Sequence, residues 1–182
     1  MKMEVQRIYL TGFMGAGKST IGPILANTLG WEFYDLDRVI EKNQNKKIKE
    51  IFEVEGEEFF RKLEMTVLTE LTKINNAVIS LGGGTIRNEQ ILNLLKSTGK
   101  LVYLQNSPEA SYKRLRYKRD RPNLIPDQEE EPTRDELIDR INNLLETRVR
   151  YYEQAHHTIN TDLYSVGKTV DKIVKIINAD KS

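Results

Sequence analysis

The sequence predicts an α/β fold, a parallel sheet with helices on both faces, and two observations carry that prediction. Short runs rich in β-branched and aromatic residues alternate with longer segments whose apolar residues recur at helical spacing, the β-α repeat of a parallel sheet. Near the start, Gly12-Phe13-Met14-Gly15-Ala16-Gly17-Lys18-Ser19 satisfies G-x-x-x-x-G-K-[ST] and lies between one such run and one such helix. At 182 residues, 38% hydrophobic and 30% charged, the chain is expected to form one domain with its own core.

Gln6 to Thr11 reads as the first strand, and Ser19 to Leu29, with Ile21, Ile24, Leu25 and Leu29 at helical spacing, as the first helix. Between them the glycines let backbone N–H groups turn inward around a polyphosphate, and the helix points its positive end at the same place. Lys18 then reaches the outer phosphates and the Ser19 hydroxyl is a hard oxygen ligand for Mg²⁺. A turn that merely joins strand to helix needs neither the lysine nor the hydroxyl.

Gly30 stops that helix, and Trp31 to Asp35 reads as a second strand ending in acid. Asp35 and Asp37 would face the phosphate site at the strand's carboxyl end, one toward a metal and the other toward an acceptor hydroxyl. The simpler alternative makes Asp37 the cap of a helix starting at Arg38. From Ile48 to Lys73 the pattern is helical with a break near Gly56. Arg61 and Glu64 lie three apart in it; alone, that spacing describes a surface ion pair of little worth.

Ala77 to Leu81 reads as the third strand, followed at once by Gly82-Gly83-Gly84, bare backbone that a ligand can approach closely. A helix from about Asn88 to Lys96, a strand from Lys100 to Leu104 and a helix opened by Pro108 continue the alternation to about Arg116. Residues 117–132 then carry three prolines, a basic first half and an acidic second half. Such a stretch is either a solvated loop or a mobile lid whose arginine meets a phosphoryl group. Thr133 with Glu136 makes a capping box for a helix through Tyr152, on which Arg148 and Arg150 also suit the dipole. His157 to Asn160 is the last strand and Ser165 to Ile177 an amphipathic closing helix; neighbouring His156 and His157 point to opposite faces and make no metal site.

Composition narrows the classes. A formal net charge of +1 argues against broad nucleic-acid affinity, and no apolar run is long enough to span a membrane. Met1 to Glu4 leaves no room for a signal peptide ahead of the first strand, and the lack of cysteine fits the cytoplasm.

Several of these segments together resemble the shikimate kinase family: the glycine loop, Phe33-Tyr34-Asp35-Leu36-Asp37, Phe60-Arg61 with Glu64, the triple glycine, Arg121-Pro122-Asn123-Leu124, and Arg148 ahead of Tyr152-Glu153. The resemblance runs from about Arg7 to Asp162. It implies a three-layer P-loop NTPase fold with a five-stranded parallel sheet in the order 2-3-1-4-5, and transfer of the ATP γ-phosphate to the 3-hydroxyl of shikimate. It also implies Gly15, Ala16, Gly17, Lys18, Ser19 and Thr20 at the nucleotide, with Arg114 on adenine. Asp37, Arg61, Gly83 and Arg148 match the family's shikimate positions, Ser19 and Asp35 its Mg²⁺ positions, and Arg121 its lid arginine; Lys18, Asp37 and Arg121 are the catalytic set. Family members often have proline where this chain has Arg150, so Arg148 and Arg150 both stand as the second carboxylate contact. The expected form is a cytoplasmic monomer of one kinase domain, residues 1–182, with an acceptor-binding region over residues 36–64, acting on shikimate and ATP with no nucleic-acid or membrane partner. The rivals are a gluconate or nucleoside-monophosphate kinase, and a GTP switch protein, against which no N-K-x-D string is present.

Overall fold

The computed structural model describes residues 6–116 and 132–181. Its sheet has five parallel strands in the order β2-β3-β1-β4-β5. They are β1 (Arg7–Thr11), β2 (Glu32–Asp35), β3 (Ala77–Ser80), β4 (Lys100–Gln105) and β5 (His157–Asn160). The helices are α1 (Lys18–Leu29), α2 (Leu36–Gln44), α3 (Ile48–Leu71), α4 (Glu89–Thr98), α5 (Pro108–Leu115), α6 (Arg134–Tyr152) and α7 (Val166–Lys181). Central β1 has Ile8 opposite Val78 on one side and Lys100 on the other.

The two faces of the sheet carry separate cores, because successive side chains of a strand point opposite ways. Ile8 and Leu10 pack with Ile21 and Leu25 of α1 and Ile173 and Ile177 of α7. Tyr9 between them packs with Leu36, Ile40, Ile51, Phe60, Leu68, Leu92 and Leu95 of α2, α3 and α4. A third cluster, Phe13, Tyr103, Leu115, Leu137, Ile141 and Tyr152, joins the glycine loop to α5 and α6.

Local signals predicted from sequence recur as geometry. The capping box of Thr133 and Glu136 is complete, with the Thr133 N–H donating to Glu136 Oε2 at 2.8 Å. Gly56, with φ 82° and ψ 169°, breaks α3 into two helical pieces. Gly22 is a packing requirement: a methyl group there would overlap the Phe33 ring of β2. Gly22→Ala is therefore expected to destabilise the protein by about 1 kcal/mol net in urea unfolding, the strain of about 1–3 kcal/mol exceeding the helix-propensity gain of about 1 kcal/mol.

One local expectation is corrected. Helix α2 starts at Leu36, two residues before Arg38, and its cap is Asp35, whose Oδ1 accepts from the Arg38 N–H at 3.3 Å. Asp37 sits in the first turn. The histidines serve the strand edge: His156 Nδ1 accepts from the Leu101 N–H at 3.0 Å, and His157 Nε2 meets Asp180 Oδ2 at 3.0 Å. Burial, then Lys100 and Lys96, pushes the pKa of His156 down, which keeps that acceptor neutral. Among the described residues, no helix is long and apolar enough to cross a membrane.

Candidate active site

Ligands of open α/β sheets bind beyond the carboxyl ends of the strands, and here the ends of β1, β2 and β3 meet around one cleft of about 330 Å³. Its lining brings together Gly15, Gly17, Lys18, Ser19 and Thr20 of the glycine loop and α1, Asp35 and Asp37 after β2, Gly82 and Gly83 after β3, and Arg114 of α5. Ala16 is buried behind the loop. A second recess of about 190 Å³ adjoins it, bounded by Ala16, Thr20, Arg114, Thr161 and Tyr164 among others.

The loop takes its shape from glycines at positive φ, Gly12 at 143°, Gly15 at 81° and Gly17 at 95°. Lys18 Nζ folds back to donate to the carbonyls of Gly12 at 2.7 Å and Phe13 at 3.0 Å. Arg114 Nη1 donates to the Gly15 carbonyl at 2.5 Å, which ties α5 to the loop. Ser19 Oγ donates to Asp35 Oδ2 at 3.3 Å. That pair, a hydroxyl and one carboxylate, fits Mg²⁺, which takes hard oxygens and is usually held by one or two carboxylates together with substrate phosphates.

The triple glycine is where charged side chains of α2, α3 and α6 converge. A methyl group on Gly82 would lie 3.1 Å from Asp37 Oδ1, one on Gly83 3.4 Å from Arg148 Nη1, and one on Gly84 3.5 Å from Arg61 Nη2 and 3.8 Å from Arg148 Nη2. A carboxylate and two guanidinium groups thus border a strip of bare backbone. Arg150 points elsewhere, its Nη2 donating to the Tyr151 hydroxyl at 3.0 Å. Of the two arginines left open by the sequence, Arg148 is the one placed beside the glycines.

Glu64 corrects the picture of a surface ion pair. Its side chain is 2% exposed, and it accepts from Arg61 Nη1 at 3.0 Å, Arg87 Nη1 at 2.9 Å and Thr85 Oγ1 at 2.7 Å. A buried carboxylate with three donors holds its partners firmly, because losing any of them leaves one of its oxygens short of a donor away from water. Arg61 also donates Nε and Nη2 to exposed Glu57, at 3.1 and 3.0 Å. Behind Arg148, the buried Tyr152 hydroxyl donates to the Gly83 carbonyl. Burial pushes the pKa of that hydroxyl up to about 12, against the pull of the neighbouring Arg148 charge, so it remains a donor.

Thr85 and Arg87 were given no role from the sequence, and Tyr152, named there only in the motif after Arg148, was given none at Gly83. For Tyr152 a signal existed, since it follows Arg148 by four residues and shares its helix face. Arg121 and residues 117–131 of the segment read as a lid lie outside the described residues.

A phosphate loop on an open parallel sheet, facing acids after a neighbouring strand and arginines carried by helices, defines a phosphoryl-transfer enzyme of the P-loop kinase class. The family model described as Shikimate kinase matches residues 14–178. The chain belongs to the shikimate kinase family. It is 45% identical over 170 residues to the shikimate kinase of Prosthecochloris aestuarii, covering 93% of this chain and 86% of that one. The Chlorobaculum parvum shikimate kinase is also 45% identical over 170 residues, covering 93% and 91%. The solved structure of shikimate kinase from Acinetobacter baumannii in complex with shikimate superposes with a TM-score of 0.87 at 38% identity, covering 97% of this chain and 95% of that one.

Proposed function

We infer that the protein transfers the γ-phosphate of ATP to the 3-hydroxyl of shikimate. The observation that carries the acceptor's identity is the approach of Arg61 and Arg148 to Gly83 and Gly84, two cations beside bare backbone within reach of the phosphate loop. Shikimate is a hydroxylated carboxylate. Its acid would lie against Arg61 and Arg148, with Gly83 close beneath it, and the fork of Arg61 suits a carboxylate. Gluconate shares that feature and nucleoside monophosphates do not, so an ADP-release assay comparing the three acceptors tests the assignment. Fast turnover of shikimate alone supports it, and equal turnover of gluconate overturns it.

On the donor side, we assign Gly15, Ala16, Gly17, Lys18, Ser19 and Thr20 to the phosphates and Arg114 to the adenine, whose recess adjoins the loop. Ser19 and Asp35 would hold Mg²⁺, Asp35 through water; when bound, the ion offsets charge on the β- and γ-phosphates. Arg121, by its R-P-x-L setting, is assigned to the phosphoryl group in transfer. The chain is read as one kinase domain, a cytoplasmic monomer, with residues 36–64 forming the acceptor-binding region; sedimentation of the purified protein checks the monomer.

Asp37, beside Gly82, is assigned to the attacking hydroxyl. Asp37→Asn is then expected to lower kcat by about 10²-fold or more while KM for ATP stays within about twofold. The measurement is steady-state kinetics with each substrate varied in turn, and an unchanged kcat would reduce Asp37 to a helix-terminus carboxylate.

A further inference from the structure

Arg61 has a difficulty as a receptor for an acid: two carboxylates already face it. Glu57 holds Nε and Nη2, and Glu64 holds Nη1. The two differ in how much of their charge an incoming anion would feel. The Glu57 side chain is 66% exposed, so water and salt screen it, whereas Glu64 at 2% exposure acts through protein with little screening. A lone Arg61–Glu64 pair would be neutral, so little of the Arg61 charge would be left to attract a carboxylate, even with Glu57 largely screened.

Arg87 changes this balance. Its Nη1 meets Glu64 Oε2 at 2.9 Å, the same oxygen that Arg61 reaches at 3.0 Å, while Thr85 Oγ1 takes Oε1 at 2.7 Å. Arg87 comes from the turn after the triple glycine, not from α3, and approaches Glu64 with its side chain two-thirds buried. We propose that Arg87 cancels the charge of buried Glu64 and thereby keeps Arg61 available as a receptor for the substrate's carboxylate. The bonds of Arg87 are to Glu64 and the Thr85 carbonyl, which makes it in this proposal a positioning residue acting through Glu64. The inference rests on the assignment of Arg61 to that carboxylate.

Charge and shape are separated by two substitutions. Arg87→Met removes the charge and keeps most of the volume, and Arg87→Lys keeps the charge and removes the planar fork. Loss of one compensating charge at this range is expected to raise KM for shikimate roughly tenfold in Arg87→Met, with KM for ATP and kcat within about twofold. Arg87→Lys is expected to stay within about twofold of the parent in all three. A merely structural role would lower the thermal midpoint of Arg87→Met and leave KM for shikimate alone, and that result overturns the proposal. So does Arg87→Lys behaving as badly as Arg87→Met, a comparison that needs only the lysine variant to fold. Arg61→Lys, measured alongside, tells the two levels apart. If it raises KM for shikimate and Arg87→Met does not, the proposal for Arg87 alone fails; if neither does, the assignment of Arg61 fails and takes this proposal with it.

Discussion

An analogue of shikimate whose carboxylate is replaced by a neutral hydroxymethyl group is expected to lose roughly 10⁴-fold in kcat/KM. The reason is what remains in the site when the acid is gone. Arg61 and Arg148 lie against Gly84, Arg61 anchored by the buried Glu64 and Arg148 by its place on α6 beside Tyr152. Arg61 would keep its bonds to Glu57 and Glu64, but the donors of Arg61 and Arg148 assigned to the acid would be cut off from water with no acceptor in its place. The same logic makes Arg61→Lys costly although it preserves charge, since an ammonium cannot present two parallel donors to a carboxylate. Competition kinetics with both acceptors in one reaction measures the ratio directly. Turnover of the neutral analogue within tenfold of shikimate would remove the acid from the recognition scheme.

Lys18→Ala is expected to lower kcat by about 10³-fold or more while leaving the folded protein intact. The ammonium lies on the carbonyls of Gly12 and Phe13 and lines the cleft beside Gly15 and Gly17, so it is held where the outer phosphates would arrive. Its removal deletes the hydrogen bonds to the Gly12 and Phe13 carbonyls, at about 1.5–3 kcal/mol each for a charged donor, less where the ammonium is reached by water. It also deletes the one full charge that the loop itself aims at the phosphates. Circular dichroism should be unchanged and single-turnover phosphoryl transfer nearly absent. A folded variant that transfers phosphate at the parental rate would refute the role.

What could be read in the sequence was whatever a local pattern encodes. The strand–loop–helix context of Gly12 to Ser19, the break at Gly56 and the capping box at Thr133 each depend on residues within a few positions of one another, and each is found in the structure. The sheet order came with the family resemblance, and the observed strands have that order. Two kinds of feature escaped. Asp35 and Asp37 both suit a helix cap by type, and the choice depended on a start of α2 two residues earlier than the periodicity suggested. Glu64 looked like one end of a surface pair because its other partners come from the turn after β3, more than twenty residues away. Tyr152 and Gly83 are farther apart still, 69 residues, and only the packing of α6 against that turn joins them. Burial of a polar group is a property of the assembled layers, and the pattern around Arg61 did not contain it.

The bare backbone at Gly83 and Gly84 has a consequence for inhibitor resistance. Any side chain grown from either position would project toward Arg61 or Arg148, into the space assigned to the acid. A drug that carries its own acid to this place leaves the gene little room for escape at these two codons, since a side chain that evicts the drug would evict the metabolite as well. Resistance would have to arise where drug and metabolite differ in outline, beyond the reach of Arg61 and Arg148, and compounds that stay within the metabolite's outline at this end offer it the fewest openings.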